Sequence, residues 1–260
     1  MNTTRIIALG DVVGEPGRRI VTEKLSELKQ KYNYDFLIVN AENSAGGHGI
    51  TPAIADEFFK LGVDVITLGD HTFDQNDISL YLDIKDRNIL RPANFPPVCT
   101  GRGHIIVQKG DKKIAVINLI GRVFIDLLSD CPFRTADQII KNNLSDCVVR
   151  IVDMHAEATS EKYAMARYLD SQVSLIFGTH THVPTADETI LPGGTGYITD
   201  IGMCGSYAHV IGMHSDAAVS RFLGLRKAYK TGKGQERVSG VFAEVDSSSG
   251  KALKIERISC

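Results

Sequence analysis

Along this chain, short runs of aliphatic and β-branched residues alternate with stretches whose apolar positions recur every three or four residues. The runs Arg5-Ile-Ile-Ala-Leu9, Phe36-Leu-Ile-Val39, Val63-Asp-Val-Ile-Thr-Leu68, Val148-Val-Arg-Ile-Val152 and Val173-Ser-Leu-Ile-Phe177 predict strands. Between them the longer period predicts helices over about 17–31, 52–61, 76–82, 135–143 and 159–170. Pro16 and Pro52 suit a first helical turn, where a missing N–H costs nothing, and Thr159 reads as a helix start after a loop. Continuously apolar strands separated by helices are buried on both faces, as parallel βαβ units require. Two other pairs of runs read as antiparallel hairpins: Ile105–Val107 with Ile114–Asn118 around Gly110-Asp111, and Gly240–Val245 with Ala252–Ile258 around Ser249-Gly250. The sheet is therefore expected to be mixed, or to be two sheets packed face to face. No repeat, low-complexity tract or Pro/Ser-rich linker divides the 260 residues, so one domain over 1–260 is expected.

Composition narrows the class of function. With 43% apolar and 23% charged residues the chain has the make-up of a globular protein with a sizeable core. No apolar run approaches the roughly 20 residues that cross a bilayer, and the first residues, Met1-Asn-Thr-Thr-Arg5, carry no charged-then-apolar leader pattern, so no membrane partner and a cytoplasmic location are expected. The net charge of −2 comes from interleaved acids and bases, with no basic block to track a long nucleic acid. Five scattered cysteines without C-x-x-C spacing argue against both a disulfide framework and a thiolate zinc site; Cys204, in a Gly-rich segment, is the one with a setting of interest.

Ligands of open parallel sheets gather beyond the carboxyl ends of the strands, where loops diverge. Immediately after the five predicted strands stand Gly10-Asp11, Asn40-Ala-Glu42-Asn43, Gly69-Asp70-His71, Asp153-Met-His155 and Gly178-Thr-His180-Thr-His182. Each acid or histidine taken singly reads first as a cap or a hydrogen-bonded residue. Together they form a pattern, because four of the eight histidines fall at these ends and independent caps have no reason to converge on one edge. His180 and His182 are one residue apart, so in an extended segment both rings would project to one side. With Asp11, Glu42, Asp70 and His155 they make an oxygen and nitrogen set that suits manganese, iron or zinc better than calcium or magnesium. So many ligands exceed what one four-coordinate ion uses and fit a pair of ions acting on a phosphoryl centre. The Gly-rich segment Gly10–Gly17 lacks both the dinucleotide and the P-loop spacing, and no nucleophile elbow is present. Asp74, Asp153, Glu157 and Asp187 stand close enough in sequence to orient the histidines.

In this order the motifs Gly10-Asp-Val-Val-Gly14, Asn40-Ala-Glu-Asn43, Gly69-Asp-His-Thr72, Val152-Asp-Met-His-Ala-Glu-Ala-Thr-Ser-Glu161, Gly178-Thr-His-Thr-His-Val-Pro184 and Thr199-Asp-Ile-Gly-Met203 resemble the calcineurin-like metallophosphoesterases. They are most similar to the YmdB-like branch, which hydrolyses 2′,3′-cyclic nucleotides, and the resemblance runs over nearly the whole chain. It implies an α/β fold: a four-layer α/β/β/α sandwich of two mixed sheets flanked by helices, with a dinuclear metal centre. In that family Glu42 would bridge the two ions, Asp11 and His182 would complete one, and Asp70, His155 and His180 the other. Asn43 would lie near the metals or the phosphate, and His71 would assist the leaving group without being a ligand. His48, His209 and His214 fall outside the family's metal motifs and read as loop histidines. The branch usually has Asn at the position of Asp70, and the extra charge is expected to favour an iron(III)/divalent pair or to slow turnover.

The function implied is hydrolysis of small phosphodiesters, 2′,3′-cyclic nucleotides giving 3′-nucleotides, by in-line attack of a metal-bound hydroxide, with two ions of iron and/or manganese and zinc as a further candidate. Two other readings stay open at this point: a nucleotide-binding, metal-dependent regulatory protein with weak catalysis, and a related metallophosphatase acting on phosphomonoesters. A small nucleotide is the expected partner, and a homo-oligomer is compatible with the sequence.

Overall fold

A computed structural model describes residues 2–225 and 227–260. In chain order the elements are β1 (Thr3–Leu9), β2 (Asp11–Val12), α1 (Gly14–Tyr32), β3 (Phe36–Asn40), α2 (Pro52–Lys60), β4 (Val65–Thr67), α3 (Ile78–Leu82), β5 (Ile89–Leu90), β6 (His104–Lys109) and β7 (Lys112–Ile120). Then come α4 (Pro132–Asn143), β8 (Val149–His155), α5 (Thr159–Leu169), β9 (Leu175–Thr179), β10 (Thr189–Ile190), β11 (Gly196–Ile198), β12 (Met203–Ser206), α6 (Ser215–Phe222), β13 (Glu236–Arg237), β14 (Ser239–Asp246) and β15 (Ala252–Ser259).

Two mixed six-stranded sheets result. The first has the order β15-β14-β1-β3-β4-β5, with β1, β3, β4 and β5 parallel and the β14–β15 hairpin antiparallel beside β1. The second has the order β10-β11-β9-β8-β7-β6, parallel from β7 through β8 and β9 to β11, with β6 and β10 antiparallel at its edges. A small third sheet, β13-β12-β2, ties the loop after β1 to the segment around Cys204.

Strand alternation explains how the core is divided. Ile7 and Leu9 pack outward with Ile20, Val21, Leu25 and Leu28 of α1 and with Phe58 of α2. Ile6 and Ala8 face the other way, into a cluster with Val116, Ile151, Leu175 and Phe177 of the second sheet. On the far side, Ile117, Val152 and Ile176 pack against Ala136 and Ile140 of α4 and Met165 and Leu169 of α5. The helices start where local chemistry favours it. Thr51 accepts a hydrogen bond from the N–H of Ile54 ahead of Pro52, Pro132 opens α4, and Asn33 closes α1 in the left-handed region at φ 43°.

The five predicted strands, five helices and two hairpins are all present, with shifted bounds. Two differences matter. β8 extends to His155, so Asp153 and His155 are held by the strand ladder itself. Helix α6 falls in a segment for which no element is expected from the sequence. Cys204 is buried, donates to the Ser239 carbonyl, and has its thiol pushed up to about 12 by burial, so it is an inert packed thiol.

Candidate active site

Glu42, Asp70, His155 and His180 meet at one point: one ligand atom from each lies within 4.8 Å of all the others. They come from the loops after β3 and β4, the end of β8 and the residue after β9, so the parallel order of both sheets delivers them to one edge. His155 Nε2 lies 2.9 Å from Asp70 Oδ1, 3.1 Å from Glu42 Oε1 and 3.0 Å from His180 Nδ1. His180 Nδ1 is 3.1 Å from the same Asp70 oxygen. The close approach depends on Gly69, where a Cβ would collide with the His155 imidazole and the Glu42 carboxylate.

A second half adjoins the first. Asp11, on β2 and fully buried, receives the N–H of His180 on Oδ2 at 3.1 Å and places Oδ1 3.8 Å from His182 Nε2. Asn43 Nδ2 spans the two halves, 3.2 Å from Glu42 Oε1 and 3.3 Å from His182 Nε2. His71 is oriented at two points. Its N–H donates to Glu42 Oε2 at 3.1 Å, and its Nδ1 lies 2.8 Å from Asp74 Oδ2, leaving Nε2 3.6 Å from Asp70 Oδ2. Asp11, Glu42, Asn43, Asp70, His71, His155, His180 and His182 thus lie within one connected set of contacts.

The spacing of His180 and His182 works differently from the extended-strand expectation. β9 stops at Thr179, and both histidines adopt left-handed backbone, φ 97° and 64°. The turn sends His180 toward Asp70 and His182 toward Asn43 and Asp11, its Nδ1 held 3.0 Å from the Ile211 carbonyl. One motif therefore serves both halves. Non-glycine residues held in such conformations cost about 1–3 kcal/mol each and cluster at functional sites.

The charges show strong mutual dependence. Burial alone would push the Glu42 carboxyl up, but the neighbouring His155 imidazole holds it below its ordinary value. Burial likewise opposes ionisation of His155, yet Glu42 and Asp70 raise its imidazole well above the usual range. Burial also opposes ionisation of Asp70, and His155 and His180 overcome it, pulling the carboxyl far below its ordinary range. Asp11 goes the other way: burial raises it against the pull of His182 and His155. His71 is raised despite burial by Glu42, Asp70 and Asp74. Acceptor atoms so crowded require positive charge between them, and a cation supplies it as a proton does.

The residues fit a metal pair by a further observation. Among the described residues, Asp11 Oδ1 is a buried carboxylate oxygen without a hydrogen-bond partner, which costs free energy unless a cation or donor satisfies it. The supporting contacts also suit ligation. Thr179 Oγ1 donates to Asp153 at 2.7 Å and accepts from His155 Nδ1 at 2.8 Å, so Nε2 faces the cluster and offers its lone pair there once a cation takes the place of its proton. Asp153, raised to about 6 by burial, also receives Thr67 at 2.5 Å and Asn40 at 3.3 Å from the first sheet, joining the sheets behind the site. Glu157 Oε2 lies 3.2 Å from His180 Nε2. Of the acids expected to orient histidines, Asp187 does not: it accepts from Thr185 and Thr199.

Over the cluster lies a cavity of about 320 Å³ whose lining also includes His48, Ile211, Met213, Arg221 and Tyr229. None of these carries a sequence signal that marks it as a site residue. His48, expected to be a loop histidine, sets its ring 4.7 Å from that of His71, while His209 and His214 stack on each other away from the cavity.

A family model described as YmdB-like protein matches residues 7–258. The chain is 45% identical over 255 residues to the 2′,3′-cyclic-nucleotide 2′-phosphodiesterase of Bacillus subtilis (strain 168), covering 98% of this chain and 96% of that one. Among solved structures, a novel phosphatase from Mycoplasma pneumoniae superposes with a TM-score of 0.93 at 39% identity, covering 100% of this chain and 94% of the other. A hypothetical protein from Thermus thermophilus gives 0.91 at 35% identity, covering 99% of each chain.

Proposed function

Because the chain belongs to the YmdB-like protein family, we propose that it is a metal-dependent phosphodiesterase that opens 2′,3′-cyclic nucleotides to 3′-nucleotides. The observation that carries the reading is the meeting of Glu42, Asp70, His155 and His180 beside the unpartnered Asp11 oxygen. In this reading Glu42, together with Asp11 and His182 in one half and Asp70, His155 and His180 in the other, would hold two ions. Iron and manganese suit this oxygen and nitrogen set best, with zinc compatible. The four-layer α/β/β/α arrangement of one domain belongs to the same proposal, supported by the three core clusters that alternate with the two sheets.

Bound ions would supply Lewis-acid polarisation of the phosphoryl group and acidify a water for in-line attack. The chain's own groups do the rest. Asn43 Nδ2, between Glu42 and His182, can donate to a non-bridging phosphate oxygen. His71, with Nδ1 engaged by Asp74, presents Nε2 to the departing ribose 2′ oxygen and can deliver its proton there. Thr179 and Asp153 keep the His155 ring in one tautomer throughout.

A second reading, a nucleotide-binding regulator with weak turnover, is favoured by one feature, the additional carboxylate of Asp70 next to Glu42. The two separate in one experiment: elemental analysis of the purified protein, with hydrolysis of adenosine 2′,3′-cyclic phosphate measured before and after chelation. Metal near two equivalents, with chelator-sensitive release of the 3′-nucleotide, is the expected result. Metal-independent hydrolysis, or preference for a phosphomonoester over the cyclic diester, would displace this reading.

A further inference from the structure

We infer that the wall built around Tyr229 is the nucleobase subsite of this centre, an inference that rests on the nucleotide phosphodiesterase reading above. The cavity of about 320 Å³ has a mixed lining. Glu42, His71, His180 and His182 make part of it polar, and Ile211, Met213 and Tyr229 contribute apolar and aromatic surface. A phosphodiester needs only the polar part. An apolar and aromatic part of the same lining calls for a planar, apolar-faced group attached to the same ester, which a nucleobase is and a short polyol is not.

The placement of Tyr229 is fixed from behind. Gly47, at φ 105°, shows bare backbone to the phenol ring, and a Cβ there would collide with the ring edge and hydroxyl. The His48 ring packs on Tyr229 at a centroid distance of 4.4 Å and 57°, and meets His71 edge-on at 4.7 Å and 75°. An aromatic column therefore runs from the outer wall to the residue beside Glu42 and Asp70. A ring so held is half-buried already, and stacking a base on it costs little further ordering. Arg221, from the last turn of α6, is the cationic side chain lining this cavity among the described residues, and its charge offsets Glu42 and Glu157 for an anionic ligand.

The test compares two cyclic esters with the same reacting centre, adenosine 2′,3′-cyclic phosphate and glycerol 1,2-cyclic phosphate, on the metal-loaded full chain. Tyr229→Ala is expected to lower kcat/KM for the nucleotide about tenfold more than for the glycerol ester, with the difference in KM. Tyr229→Phe, which keeps the ring, is expected to retain the nucleotide preference. Equal losses on both esters would overturn the subsite and make Tyr229 a support for the metal centre. Binding of adenosine 3′-monophosphate and of glycerol phosphate is followed by calorimetry in parallel. If the wild type opens neither ester, the phosphodiesterase reading fails, and the binding arm decides the subsite alone. There, an approximately tenfold selective weakening of the nucleotide by Tyr229→Ala upholds it, and no change overturns it.

Discussion

Lys162 Nζ lies 2.6 Å from Asp200 Oδ2, and the side chains of both residues are almost wholly withdrawn from solvent. The pair reaches the site through Thr181, whose hydroxyl and N–H both donate to that same carboxylate oxygen, at 2.8 and 3.3 Å. Thr181 is the residue between the two histidines with positive φ. The other Asp200 oxygen takes the N–H of Gly202 at 2.8 Å, which fixes the loop leading to β12. An ion pair on α5 and the β11–β12 loop thus holds the turn that divides His180 from His182.

Lys162→Met should therefore leave a buried carboxylate without its counter-charge, a loss of about 3–5 kcal/mol. For a chain of this size that corresponds to a melting temperature lower by roughly 10 °C. The turn would loosen with it, so a chelator should strip bound metal faster than from the wild type. Because Asp200 carries both effects, adding Lys162→Met to Asp200→Asn should cost much less than Lys162→Met alone. Unaltered melting and metal retention in Lys162→Met would mean that the His-Thr-His turn holds itself without the pair.

The strands, the hairpins and the acids and histidines at the strand ends were legible in the sequence because each rests on a local pattern. Apolar runs such as Phe36–Val39 identify their strands without tertiary information, and chemistry at strand ends follows from parallel topology. What lay beyond reach depends on contacts between distant segments. Lys162 and Asp200 are 38 residues apart, and a lysine within an amphipathic helix reads as a solvated side chain. Thr179 stands inside the Gly-Thr-His motif, but only the register that pairs it with His155 reveals its purpose. The backbone of His180 and His182 departs from the strand that precedes them, so a period-two argument does not describe how the two rings approach the cluster. Arg221 and Tyr229 sit in and after a helix for which the sequence offers no clear periodicity.

Thr179→Val removes one hydroxyl from the chain Asp153–Thr179–His155 while keeping a β-branched residue in β9. The His155 ring would lose the acceptor that fixes its tautomer, and the fully buried Asp153 would lose a donor. Loss of such an outer contact typically costs about 10- to 100-fold in metal affinity or activity. Competition with a metal-binding dye should show the change directly, and Thr179→Ser should restore most of it. Equal weakening in the serine variant would mean that restoring the hydroxyl does not restore the site, and that its hydrogen bonds do not carry the effect.

Asp70→Asn tests the added carboxylate beside Glu42. The carboxylate oxygen that lies 2.9 Å from His155 and 3.1 Å from His180 carries charge that an amide lacks. With Asp in place the centre should prefer a more highly charged pair, such as iron(III) with a divalent ion, or turn over more slowly. The asparagine variant should then take up relatively less iron and more manganese from a mixed supply, or run faster on the cyclic diester. If neither elemental composition nor rate changes, the added charge has no consequence and the regulatory reading loses its main support.

His71→Ala separates leaving-group assistance from ligation. The imidazole is held by Asp74 at 2.8 Å and approaches Asp70 Oδ2 no closer than 3.6 Å, so its removal takes no atom from the Glu42, Asp70, His155 and His180 group. Metal content should remain that of the wild type while kcat falls by about 10²- to 10⁴-fold. A cyclic ester whose departing oxygen belongs to a more acidic alcohol needs less protonation, so the deficit should shrink on such a substrate. Retained metal with an undiminished deficit would assign His71 to orienting Glu42 through its backbone N–H and ring packing. Loss of metal would make it a ligand after all.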